Sequence, residues 1–201
     1  MMTTIIFDFG DVFINLDKQA TQNQLKRLGL TKWNSTLDTL NIAFEKGLIT
    51  KETFLNGFQE QLPSASREEI LTAWNAILLD FPLYRLEFLQ SLSKNYRLFL
   101  LSNTDAIHID TFEQKTGSSF YNAFYQCFEK VYFSFELGMR KPDAEIYQHV
   151  MNENNLSPEN TLFIDDKKEN TDAAQALGLQ VWNLQVGEED VIDLFERAII
   201  S

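Results

Sequence analysis

Four places along the chain hold residue types that could do chemistry together: Asp8 in "IIFDFG", Ser102 to Thr104 in "LLSNT", Lys141 in "GMRKPD", and the pair Asp165 and Asp166 in "FIDD". An aspartate that ends an apolar strand sits at the carboxyl edge of a sheet, which is where open α/β proteins hold their ligands. Two adjacent acids directly behind Leu162, Phe163 and Ile164 repel each other unless positive charge relieves them, and a divalent cation does so most economically. Each residue alone also has an ordinary reading. A strand-end acid can cap a helix, a Ser-Asn pair can be a turn, a lysine before a proline can be solvated, and neighbouring acids are common on surfaces.

Charge narrows the possible partners. The 201 residues carry 29 acids against 17 bases, a formal net charge of −12, which argues against nucleic acid and against an anionic membrane. An acidic enzyme with an anionic substrate must supply local positive charge, from a metal cation or a well-placed lysine. One cysteine, Cys127, cannot form an internal disulfide, the N-terminus lacks the pattern of a signal peptide, and no apolar run reaches the roughly 18 residues of a membrane span. The expectation is a cytoplasmic protein with no membrane contact, acting as a monomer or homodimer.

The elements that must position these residues are legible in outline. "TTIIFDF", "YRLFLLSNT", "NTLFIDD" and "LQVWNLQ" read as strands buried on both faces, and "KVYFS" as a shorter fifth. Helical patterns lie between the later ones. "KPDAEIYQHVMNENN" has Pro142 where a first turn is expected, and "ENTDAAQALG" closes on Gly178. Strand alternating with helix implies a parallel sheet with crossovers. The tail "EEDVIDLFERAII" reads as one more amphipathic helix.

Residues 15–81 break that rhythm with helical patterns and no convincing strand. Ser66 and Glu69 are spaced as a capping box ahead of Ile70, Leu71, Trp74, Ile77 and Leu78, and a second helix follows Thr50 with Phe54, Leu55, Phe58 and Leu62. The organisation expected is an α/β core, residues 1–14 and 82–201, interrupted by a helical insertion over 15–81 with its own small core.

The order and spacing of the motifs resemble the haloacid dehalogenase superfamily. "FDFGDVFINLD", "LLSNTD", "SFELGMRKPDAEIYQHVM" and "FIDDKKENTDAAQALG" are most similar to a bacterial branch containing an α-glucose-1-phosphate phosphatase, and to the phosphatase domain of soluble epoxide hydrolase. The resemblance implies a three-layer Rossmann-like core with a helical cap, here containing "FEKGLITKETF". It also implies a Mg²⁺-dependent phosphatase acting on a small phosphorylated metabolite, with a sugar phosphate as the first expectation. By that pattern Asp8 attacks phosphorus and forms an aspartyl-phosphate. Ser102 and Asn103 donate to the phosphoryl oxygens, and Lys141 sets a cation against both nucleophile and transition state. Asp8, the Gly10 carbonyl and Asp166 hold the metal, with Asp165 beside them acting through water and Asn170 orienting the site.

The chain departs from the pattern at Gly10, where most of these phosphatases carry the aspartate that serves as general acid and base. On an extended backbone the next residue, Asp11, points the other way and cannot replace it. The expectation is a slower enzyme, or one favouring good leaving groups. Two rivals follow: a 2-haloacid dehalogenase, which needs no metal and is disfavoured by "FIDDKKEN", and a binding protein that keeps the phosphate cradle but turns over little. His108 and His149 lie outside the motifs and are assigned structural or solvated roles.

Overall fold

The computed structural model describes residues 2–196. Five strands, β1 (Thr4–Phe7), β2 (Arg97–Ser102), β3 (Lys130–Phe133), β4 (Thr161–Asp165) and β5 (Gln180–Asn183), form one parallel sheet in the order β3-β2-β1-β4-β5. Ten α-helices occur among the described residues: α1 (Ala20–Arg27), α2 (Ser35–Glu45), α3 (Lys51–Gln61), α4 (Arg67–Asn75), α5 (Leu83–Leu92), α6 (Ala106–Thr116), α7 (Ser118–Tyr125), α8 (Ser134–Leu137), α9 (Ala144–Glu153) and α10 (Lys168–Ala176). The alternation of side chains along each strand feeds two apolar layers. Ile5, Phe7, Leu98, Leu100, Leu162 and Ile164 pack under α5, α6 and α7, while Ile6, Phe99, Leu101 and Phe163 meet Ile146, Tyr147 and Val150 of α9 and Ala174 of α10. The result is the expected three-layer α/β sandwich.

Register places the chemistry. Phe7 pairs with Leu100 on one side and with Ile164 on the other, so the next residue of each strand brings Asp8, Leu101 and Asp165 to one level at the carboxyl edge. The chain runs from β1 outward to β2 and β3, then returns across β1 to β4. Asp8 therefore stands at the point where the strand order reverses, the crevice that such sheets use for ligands.

Helices α1 to α4 build a separate cluster in which Leu25, Leu37, Phe44, Phe54, Phe58 and Trp74 are buried together, joined by Ile107 of α6. The capping box at Ser66 and Glu69 is present, and Thr50 caps α3 through Thr53 N. The chain enters and leaves this helical unit through two segments that pair with each other. Asn15 N donates to Asp80 O at 2.9 Å, Leu79 N to Asn15 O at 3.0 Å and Asp17 N to Ile77 O at 2.9 Å.

Three local expectations are corrected. Pro142 lies before α9, which starts at Ala144, and Lys141 just ahead of it is held in the site below. The helix after Ser66 ends at Asn75, where the chain turns back towards the sheet. In the tail, Val191–Phe195 form a 3₁₀ turn capped by Asp190, and residues 197–201 lie outside the described residues. Gly178 does close α10, at φ 89°, with its N–H on Gln175 O. Among the described residues no helix is long and apolar enough to cross a membrane.

Candidate active site

Lys141 is the hub of the site. Its Nζ lies 2.6 Å from Asp8 Oδ1, 2.7 Å from Asp165 Oδ2 and 2.7 Å from the Leu101 carbonyl, so all three N–H donors are used. The side chain is 0% exposed. Burial disfavours its charge, but the two carboxylates outweigh that and hold its pKa above the ordinary lysine value. Asn103 fixes the lysine's backbone from both sides: its amide donates to Lys141 O at 2.8 Å and accepts from Lys141 N at 2.9 Å. One amide N–H of Asn103 remains for another partner. Ser102, the last residue of β2, is buried beside it.

Asp165 is fully buried and accepts from Lys141, from Lys167 N at 2.8 Å and from Asn170 Nδ2 at 3.0 Å to each oxygen. Asn170 thus orients Asp165. Asp8, Asp165 and Asp166 each offer a carboxylate oxygen, all within 4.8 Å of one another. Burial pushes the Asp8 carboxyl up to about 7, with Lys141 opposing and Asp165 and Asp166 adding to the rise. The protein's own cations therefore leave this trio short of positive charge. An all-oxygen donor set with excess negative charge fits a hard divalent cation such as Mg²⁺.

One member of the site was not found by sequence reasoning. Lys18, just before α1, reaches 2.7 Å from Asp166 Oδ2 and 2.8 Å from Asp11 Oδ2, and those carboxylates hold its pKa up against the cost of burial. No motif marks it; its only signal is position, ten residues past Asp8 at the start of the helical unit. Asp11 departs from the extended conformation expected of it. Its φ is 57°, and its carboxylate turns to Leu16 N at 3.0 Å and to Lys18. It borders a different cavity from Asp8, next to Asn15, Arg85 and Asp190, and is linked to Asp166 through Lys18.

Asp8, Lys18, Lys141, Asp166 and Asn170 line a cavity of about 150 Å³. A second cavity of about 140 Å³ adjoins it across Gly10, Leu16 and Asn103 and continues between sheet edge and helical unit past Ser102, Thr104, His108 and Glu45. His108 is committed: Nδ1 is 3.0 Å from Asp105 Oδ2, Nε2 is 3.2 Å from the Trp74 carbonyl, and the ring stacks on Trp74 at 5.2 Å. Trp74 and Trp33 belong to the aromatic packing around Phe58.

Comparison with known proteins agrees with this geometry. The family model for haloacid dehalogenase-like hydrolases matches residues 5–184. The D-ribitol-5-phosphate phosphatase of Bacteroides thetaiotaomicron is 26% identical over 195 residues, covering 94% of this chain and 95% of that protein. A HAD family enzyme from the same organism, whose structure is a complex with magnesium and inorganic phosphate, is 34% identical with a TM-score of 0.86, over 97% of this chain and 100% of that one. L-2-haloacid dehalogenase from Xanthobacter autotrophicus, 15% identical over 100% of this chain and 85% of that one, shares the fold with a TM-score of 0.61.

Proposed function

This chain belongs to the haloacid dehalogenase-like hydrolases, and we propose that within the family it is a Mg²⁺-dependent phosphatase that hydrolyses a small phosphorylated polyol or sugar through an aspartyl-phosphate on Asp8. The observation that carries this reading is the trio Asp8, Asp165 and Asp166, their carboxylates within 4.8 Å of one another and the first two bound to the buried Lys141. The phosphatase and the magnesium and phosphate complex among its relatives support it.

Asp8 is the nucleophile. Lys141 holds Oδ1, which leaves Oδ2 to attack phosphorus in line, forming one P–O bond as the bond to the leaving alkoxide breaks. Lys141 stays against the carboxylate as charge spreads over the phosphoryl oxygens. Ser102 and the free N–H of Asn103 donate to those oxygens. Asp8, the Gly10 carbonyl and Asp166 would hold Mg²⁺, with Asp165 behind them fixed by Asn170. When bound, the ion neutralises the repulsion between the Asp8 carboxylate and the phosphate dianion. Water then attacks the acyl-phosphate and restores Asp8. With glycine at position 10 the leaving alkoxide takes its proton from solvent, so turnover is modest and falls as the leaving group becomes more basic.

Helices α1 to α4, residues 15–81 with their paired connections, act as a cap that closes over the strand ends and excludes bulk water. A pocket roofed in this way suits a metabolite. A chain with one unpaired cysteine suits the cytoplasm. Dehalogenation is the weaker reading, since its relative shares the fold alone. The test is phosphate release from p-nitrophenyl phosphate. Release that needs Mg²⁺, stops with chelator and is lost in Asp8→Asn supports the proposal. Metal-independent halide release from 2-chloropropionate, or phosphate binding without turnover, would replace it with one of the rivals.

A further inference from the structure

The cavity beyond the phosphoryl site carries its own chemistry. Among the groups around it, His108 has nothing left to offer a ligand: a carboxylate faces one ring nitrogen and a carbonyl the other, so both nitrogens are engaged inside the protein. Lys167 is exposed at the junction of the two cavities, next to Asp166. Glu45, at the last turn of α2, is the acid that borders this cavity.

The Glu45 carboxylate is held from behind. Arg140, immediately before the site lysine, brings Nη2 to 3.0 Å from Oε2, close enough for an ion pair but off the line of a hydrogen bond, and Asn41 Nδ2 lies 3.4 Å from Oε1. Three buried polar atoms at this junction, Asn41 Oδ1, Glu45 Oε2 and Arg140 Nε, have no hydrogen-bond partner among the described residues. Those three atoms are closed to solvent, and the 19% of the Glu45 side chain that stays exposed is what can meet a ligand. The rest of the wall is apolar, from Phe9, Ile14, Leu78 and Ile109.

We infer that Glu45 is the specificity-determining residue for the leaving group, and that it selects a short, uncharged, hydroxyl-bearing chain. This rests on the phosphatase reading above and adds the identity of the group that departs. A carboxylate is acceptor-only, so it binds hydroxyl donors and finds no partner in a carboxylate or second phosphate on the substrate, which has no donor to offer. The apolar wall covers the C–H face of the chain. Size bounds what the cavity can surround: 140 Å³ is roughly five water volumes at ~30 Å³ each, room for a chain of a few carbons. A site built to bond hydroxyls discriminates strongly against a substrate lacking them, because its polar group is then left unpaired.

The experiment compares kcat/KM, in Mg²⁺, for ribitol 5-phosphate, 3-phosphoglycerate, dodecyl phosphate and p-nitrophenyl phosphate, in the wild type and in Glu45→Gln and Glu45→Lys. The wild type is expected to favour the polyol phosphate over both phosphoglycerate and dodecyl phosphate by at least 100-fold. Glu45→Gln should narrow the polyol-to-phosphoglycerate ratio by at least tenfold, and Glu45→Lys should invert it. Thermal melting of each variant controls for folding, and the wild-type ratios stand without any variant. A wild type that prefers phosphoglycerate or dodecyl phosphate while hydrolysing the aryl ester overturns the inference and leaves the phosphatase reading intact. Ratios unchanged in folded variants also overturn it. No release from any of the four esters overturns the phosphatase reading itself.

Discussion

Lys141 Nζ lies 2.6 Å from Asp8 Oδ1, a contact spanning 133 residues and closed by the register of β1 against β2 and β4. The same ammonium holds Asp165. Lys141→Met is expected to lower kcat by about 10²–10³-fold, the scale of losing one preorganised charge donor at a transition state. It also leaves two buried acids without their cation, at a cost of about 3–5 kcal/mol. Steady-state kinetics and urea unfolding check the two effects separately. Lys141→Arg should not restore activity, because a fully buried, three-donor position has no room for a planar fork.

Lys18 stands where it competes with a metal for Asp166. Removing a cation from beside a metal ligand favours the metal, so Lys18→Ala is expected to lower the Mg²⁺ concentration for half-maximal binding several-fold. Titration calorimetry reads this directly. Weaker Mg²⁺ binding in the variant would mean that Lys18 positions Asp166 and that competition is secondary.

The Asp105–His108 pair ties α6 to Trp74 of α4 and gives the fold a pH dependence. Burial opposes charge on both groups. The mutual attraction outweighs it, raising the His108 pKa above the ordinary histidine value of about 6.5 and lowering that of Asp105. The histidine's contribution is complete below its unfolded value and is lost as pH rises through the raised one. The aspartate's contribution is lost only as pH falls through its depressed value. Melting temperature should therefore decline as pH is raised above about 6.5, and His108→Gln should flatten that decline. An unchanged slope in the variant would assign it to other groups.

Gly10 is not demanded by a left-handed backbone; the space its side chain would take is filled by Leu16, whose Cδ1 would lie 2.8 Å from an added Cβ. Gly10→Asp alone should therefore lower activity or stability by crowding. Combined with Leu16→Ala it should place a carboxylate at the mouth of the cavity and raise turnover of esters with basic leaving groups, towards the ~10²–10⁴-fold that acid and base help provides. Comparing alkyl and aryl phosphates tests this, since the gain should be confined to the alkyl esters.

Much of this site was legible because its residues sit at strand ends. The acids of "FDFG" and "FIDD" follow apolar runs, so pattern alone puts Asp8, Asp165 and Asp166 at the carboxyl edge of a sheet, and the family resemblance supplies that they meet there. What periodicity does not report is backbone reversal and long side chains crossing between elements. Asp11 was expected on an extended strand, yet the turn that lets Leu16 fold over Gly10 drives it to φ 57°. Lys18 reaches Asp166 across 148 residues with no spacing rule to reveal it. Asn103 was assigned to phosphate and is half committed to the backbone of Lys141, a role that only the meeting of the β2 end with the loop before α9 creates.

The most direct measurement of the central claim is mass spectrometry of the protein quenched in acid during turnover of a phosphate ester with Mg²⁺. A single phosphoryl group on the peptide containing Asp8, absent with chelator and absent in Asp8→Asn, is the predicted result. Full turnover in Asp8→Asn, or phosphate released by the wild type with that peptide never modified under rapid quench, would contradict the account.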